Sequence, residues 1–191
     1  MLREYLDRPI KRVALRGRIM RPWWRWRFHE FGARSVLHRP DWVFGPHLMA
    51  VGNGVTIFQG AWLSVERPAW DATEPVLRIG NNAGLRPYCT ISAAESVVIE
   101  DYVIIGSFST VIDSDHTFVR GEPNALRSPL ATTPVRIGRG TWIGERVAIL
   151  RGADIGRRCI IGSNSVVRGQ IPDHSIAVGA PARVVGTTEP E

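Results

Sequence analysis

From Val51 onward, aliphatic residues return every sixth position. They fall at Val51, Ile57 and Leu63, at Ile79, Leu85 and Ile91, at Ile99, Ile105 and Val111, and then unbroken at Ile137, Ile143, Ile149, Ile155, Ile161 and Val167. Glycine often follows the aliphatic, as at Gly106, Gly144 and Gly162, and four places after it stands a mostly small residue such as Ala61, Ala83, Cys89, Ser109, Thr141 or Ser165. Such a period matches neither an α-helix nor the plain alternation of a hairpin strand. It predicts short strands joined by tight turns, with three hexads to each triangular coil. The aliphatic residue points inward at the middle of each face, and the small residue fills the corner. Stacked coils then make parallel sheets around a continuous aliphatic core. The expected fold class is all-β, a parallel β-helix solenoid.

The regularity also locates what does not belong to it. Leu63 and Ile79 are sixteen residues apart and Val111 and Ile137 twenty-six, so loops leave the coil within 66–75 and across 112–136. Loops on a solenoid cost little stability and often carry function. The second begins at Val111-Ile-Asp-Ser-Asp-His116, which brings Asp113, Asp115 and His116 together. Asp115 stands four after Val111, where the repeat asks for a small residue, and a broken local rule is where functional residues are expected. The organisation read from the chain is an N-terminal arm over 1–44, the β-helix over 45–172 with loop 112–136, and a C-terminal extension over 173–191.

Charge changes the picture only at the N-terminus. Residues 1–39 hold 11 Lys+Arg against 3 Asp+Glu, net +8, and the rest of the chain 13 against 15, net −2, which together give the +6 of the whole. The basicity belongs to the arm, and no nucleic-acid-binding motif accompanies it. The arm is expected to be helical in pieces, broken at Pro9, Gly17 and Pro22, with Trp23, Trp24, Trp26 and Phe28 interleaved with Arg21, Arg25 and Arg27. Its aromatics either cap one end of the core or, with the arginines, form a patch for anionic membrane headgroups. No apolar run approaches a membrane span, and no segment resembles a secretory signal, so a cytoplasmic protein is expected. Two cysteines support neither a disulfide framework nor a zinc site, and Cys89 and Cys159 both occupy small corner positions in the core.

The run PVRIGRGTWIGERVAILRGADIGRRCIIGSNSVVRGQIPDHSIAVGAPARVVG, residues 134–186, resembles the hexapeptide-repeat acyltransferases, in the branch that acetylates maltose, galactosides and polysaccharides. The elements IGxxxWIG, Asp-x-Asp-His and AVGxPAxVV carry the resemblance, which covers about 45–186. It implies a left-handed coil, an exception to the usual crossover rule, and a homotrimer with active sites between subunits. It also implies acetyl-CoA along the coils as co-substrate, with no metal, and a histidine base that falls on His116.

Acyl transfer from a thioester needs a base for the attacking hydroxyl or amine, and histidine suits this at neutral pH. Asp113 or Asp115 could fix its tautomer. No triad nucleophile is evident, so direct transfer in a ternary complex is expected, with a backbone N–H near Gly144 as oxyanion donor. The other histidines, His29, His38, His47 and His174, lie outside the motif. The resemblance places the acyl donor on Trp142, Gly144, Glu145, Ser163, Arg168 and Arg183. The family's Thr-Lys-Asp before Ile-Pro reads Arg168-Gly169-Gln170 here, so Arg168 stands in for the lysine. The family's acceptor asparagine is also missing, and the same region reads Arg86-Pro87-Tyr88-Cys89, which leaves Arg86, Tyr88 and Glu122 as acceptor candidates. The expected function is O-acetylation of a sugar, polysaccharide or glycolipid precursor. The alternatives are N-acetylation of an amino sugar, or a non-catalytic scaffold. A carbonic anhydrase on this fold would need three zinc histidines, and the repeat from Val51 to Val167 holds only His116.

Overall fold

The computed structural model describes residues 9–121, 124, 125 and 128–189. The hexads form three faces of a prism. Face one has seven strands in the order Glu30–Phe31, Met49–Val51, Leu77–Ile79, Val97–Ile99, Val135–Ile137, Asp154–Ile155 and Gln170–Ile171. Face two runs through Val36–Leu37, Thr56–Ile57, Gly84–Leu85, Ile104–Ile105, Trp142–Ile143, Ile160–Ile161 and Ser175–Gly179, and ends on Ala182–Thr187, which returns antiparallel. Face three holds Trp42–Phe44, Trp62–Val65, Thr90–Ala93, Thr110–Ile112, Ala148–Ile149 and Val166–Val167. Every other pairing within the faces is parallel, and the register stacks aliphatic on aliphatic: Ile105 lies between Leu85 and Ile143. All fifteen periodic aliphatics are at most 2% exposed, so one apolar column runs the length of the coil. The corner residues Ser109, Thr141 and Ser165 are buried as well, and each hydroxyl is hydrogen-bonded to backbone of a neighbouring coil.

The coil is longer than its aliphatic period suggests. A first turn spans 30–44, inside the segment read as arm, with Phe31, Leu37 and Val43 at the inward positions. An aromatic in the series, and a step of eight from Val43 to Val51, hide it from the period. At the other end Ser175–Gly179 continues face two against Ile160–Ile161, so the coil also passes the boundary at 172. The longer spacings all fall at one corner, between face three and face one. The short helical turn Pro46–Leu48, the segment 66–76, the turn at Ala94–Ser96 and the excursion from Ile112 to Val135 are stacked along that edge. The excursion is a hairpin at its root, with Ser114–His116 antiparallel to Leu130–Thr132.

Helix α1 (Pro9–Arg27) passes through Gly17 and Pro22 without the breaks expected there. Gly17 is its contact point: a Cβ there would lie 2.4 Å from Val36 Cγ1, so only glycine lets the helix lie this close to the first coil. Pro22 is tolerated on the exposed side. Trp24 and Phe28 are buried with Phe31 and Leu37, whereas Trp23 and Trp26 are exposed. Among the described residues, no helix is long and apolar enough to cross a membrane.

Candidate active site

His116 ends the outgoing strand of the hairpin, paired with Leu130. Successive strand residues point to opposite sides, so Asp115 and His116 diverge. The imidazole is exposed and makes no side-chain hydrogen bond or ion pair to any described residue. Asp115 points back to the prism, where its Oδ2 accepts Arg151 Nε at 2.7 Å with Arg168 Nη2 at 3.6 Å. Arg151 Nη1 also reaches Thr133 Oγ1 at 3.3 Å, so one guanidinium holds both legs of the hairpin to the corner below. Asp113 is fully buried, and its carboxylate accepts the N–H groups of Ala94, Glu95 and Ser96 at 2.7–2.8 Å.

These contacts correct the roles expected of the two carboxylates. Asp115 is not in a small-residue corner, because the chain has already left the coil at Ile112. Asp113 closes the turn of the preceding coil. Neither is hydrogen-bonded to His116.

Trp142, Gly144, Glu145 and Ser163 share one groove of about 530 Å³ on face two, with Arg86, Ile104 and Gly106. Its floor is a column of glycines produced by the coil's own stacking. A Cβ on Gly106 would lie 2.4 Å from the Gly144 carbonyl oxygen, and one on Gly144 2.7 Å from Ser163 N. The result is a trough with a glycine floor, walled by Arg86, Ile104, Glu145 and the exposed indole of Trp142. No described residue accepts the Ser163 backbone N–H. The expected oxyanion donor near Gly144 is not free: Gly144 N–H donates to Ile161 O, Glu145 N–H to Ser163 Oγ and Arg146 N–H to Ser107 O. Contacts between stacked coils use all three amides.

The remaining candidates separate. Arg183 lies beyond the trough, paired in register with Val178, whose side chain stands over Gly162. Arg168 is on the hairpin's edge with Asp115, not in the groove. Arg86, expected on the acceptor side, lines the same groove and lies over the Phe58 ring at 5.5 Å. Tyr88 stacks on Phe108 at the next corner, with centroids 5.1 Å apart. Glu122 lies outside the described residues. Arg151 is the functional candidate that sequence reasoning missed, because its partner lies 36 residues away. Both cysteines are buried, and burial pushes the Cys89 thiol up to about 11.

Comparison with known proteins places this geometry. The profile of the bacterial transferase hexapeptide family (six repeats) matches residues 134–169. A probable acetyltransferase of Mycobacterium tuberculosis is 35% identical over 95% of the chain and 63% of its own length. The Escherichia coli protein WbbJ, named for lipopolysaccharide biosynthesis as an O-acetyl transferase, is 34% identical over 58% of the chain and 60% of its own. The chain thus spans about three fifths of these relatives. Among solved structures, an N-acyltransferase of Bacillus cereus in complex with dTDP and coenzyme A shares the fold at a TM-score of 0.70 and 19% identity, over 88% of this chain and 89% of that one.

Proposed function

Because the chain belongs to the hexapeptide-repeat transferase family, we propose that it is a cytoplasmic acetyltransferase moving the acetyl group of acetyl-CoA to a sugar hydroxyl, in a polysaccharide or glycolipid precursor. One observation carries the reading. His116, exposed on a pinned hairpin, leaves between the coil of Gly106 and the coil of Gly144, level with the glycine trough. The trough supports the donor assignment. From Gly106 to Ser163 it crosses two coil spacings, about 10 Å, a slot for a slender pantetheine arm, with Arg183 beyond it for a phosphate. Acetyl-CoA supplies an acetyl group already activated as a thioester. His116 takes the proton of the acceptor hydroxyl as the oxygen attacks the thioester carbonyl, then returns it to the departing sulfur. Transfer is direct in a ternary complex, since both thiols are buried in the core.

The hairpin and the trough lie on different edges of one prism, which favours a homotrimer of left-handed coils with each site shared by two copies. The outward rows support the same arrangement. Face one shows Glu30, Arg78, Arg136 and Asp154, with Arg136 ion-paired to Glu100 and Asp154. Face two shows Thr56, Ile104, Trp142 and Ile160, and face three Trp42, Trp62, Thr90 and Thr110, with no charge in either row. Face two of one copy against face three of the next would bring His116 to the neighbour's trough. N-acetylation of an amino sugar is the second reading, favoured by the likeness to the Bacillus cereus enzyme, and it uses the same base and donor.

The test is thiol release from acetyl-CoA over a panel of sugars and amino sugars. His116→Ala should lower turnover at least about 100-fold with acetyl-CoA binding retained. Turnover equal to the wild type would remove His116 as base, and no release by the wild type on any acceptor would overturn the enzyme reading.

A further inference from the structure

Helix α1 has two apolar sides, and the body of the protein uses one of them. Gly17, Trp24 and Phe28 form the inward side, spaced seven and four residues apart, with the Trp24 and Phe28 rings 5.7 Å apart and Phe28 against Phe31 at 5.3 Å. Ile19, Trp23 and Trp26 form the other, at spacings of four and three that also fall on one stripe. Trp24 and Trp26 are two positions apart, about 200° around the helix. The outer stripe therefore faces directly away from the coil. Ile19 is 71% exposed, Trp23 42% and Trp26 82%, and Met20 beside them 43%.

Around this stripe the charge is of one sign. Arg25 and Arg27 are exposed on either side of it, with the Arg27 guanidinium over the Trp23 ring at 5.0 Å. Residues 1–39 carry net +8, against −2 for the rest of the chain. A stripe of large apolar residues within a cationic field suits a surface that is apolar below and anionic above. A second copy of the same helix would bring arginine to arginine. A protein core is no alternative, since the inward stripe already fills that role. The helix is too polar to span. Tryptophan and arginine are also the residues that settle at the headgroup boundary of a bilayer.

We propose that the outer face of α1 is a docking surface for an anionic lipid bilayer, with Trp23 and Trp26 entering the headgroup region and Arg25 and Arg27 meeting lipid phosphates. The helix lies in the interface plane and holds the coil against the membrane. The surface is independent of the acetyl-transfer reading, because none of its residues lies in the hairpin or the groove.

Co-sedimentation of the full chain with vesicles tests it. Binding is expected to phosphatidylcholine vesicles that contain phosphatidylglycerol, to fall steeply with added salt, and to be nearly absent for phosphatidylcholine alone. Trp23→Ala with Trp26→Ala should weaken binding to the anionic vesicles at least about tenfold, with the far-ultraviolet circular dichroism unchanged because neither side chain is in the core. Failure of the wild type to sediment with anionic vesicles would overturn the proposal. So would binding that the double substitution leaves unchanged, or concentration-dependent self-association, lost in that variant, in place of lipid binding.

Discussion

Asp113 and His116 stand three residues apart and do unrelated work. Asp113 spends its carboxylate on three backbone N–H groups of the preceding coil, and His116 spends its imidazole on none of the described residues. Both residues were legible as special, but their division was not. A motif of alternating acids beside a histidine does not say which side chain turns inward, because that depends on where the chain leaves the coil. Asp113→Ala should cost about 2–4 kcal/mol, the loss of charge-assisted bonds that leaves three donors unmet, seen as a lower denaturation midpoint. Asp113→Asn should cost less. Cys89 offers a pH test. Burial raises its thiol from an ordinary 9.0 to about 11, so the folded chain keeps a proton that the unfolded chain has lost between those values. Stability fully present below pH 9 is then lost as pH rises toward 11, by up to about 2–3 kcal/mol. Urea unfolding across that window should show the decline, and Cys89→Ala should flatten it.

At the scale of elements, the period of six gave the inward side of almost every strand, because a buried aliphatic column tolerates few substitutes. What it missed lies at the corner between faces three and one, where spacing varies without disturbing any sheet. A step of eight in place of six after Val43 hides the first coil, and the spacing marks the hairpin only as a loop across 112–136. In α1 the breakers misled, since Gly17 serves packing on Val36 and Pro22 faces outward. The clamp on the hairpin could not be read at all, since Arg151 belongs to the next coil. Arg151→Ala should free both legs of the hairpin together. It should lower kcat about tenfold, one to two kcal/mol of lost positioning, and leave KM for acetyl-CoA unchanged. Faster amide exchange at 114–116 and 130–132 would show the same release without relying on activity.

Over the whole molecule, charge is sorted by face: one face ion-paired and wet, two rows uncharged. Thr110→Arg, in the middle of the uncharged row on face three, should therefore convert the proposed trimer to monomers by light scattering, and abolish turnover with it. A matching change at Arg78 on face one should do neither. The strand that closes face two has a further consequence. A stack of parallel coils presents the same row of backbone donors and acceptors at its last turn as at every turn before it, so another coil could be added, from this chain or from another. Here Ala182–Thr187 reverses direction at that edge, while α1 lies over the first coil at the opposite one. On face two an added coil would therefore meet a strand that runs against the rest of the sheet. On that face the last row of backbone groups is taken by the chain's own strand and is not left for another coil.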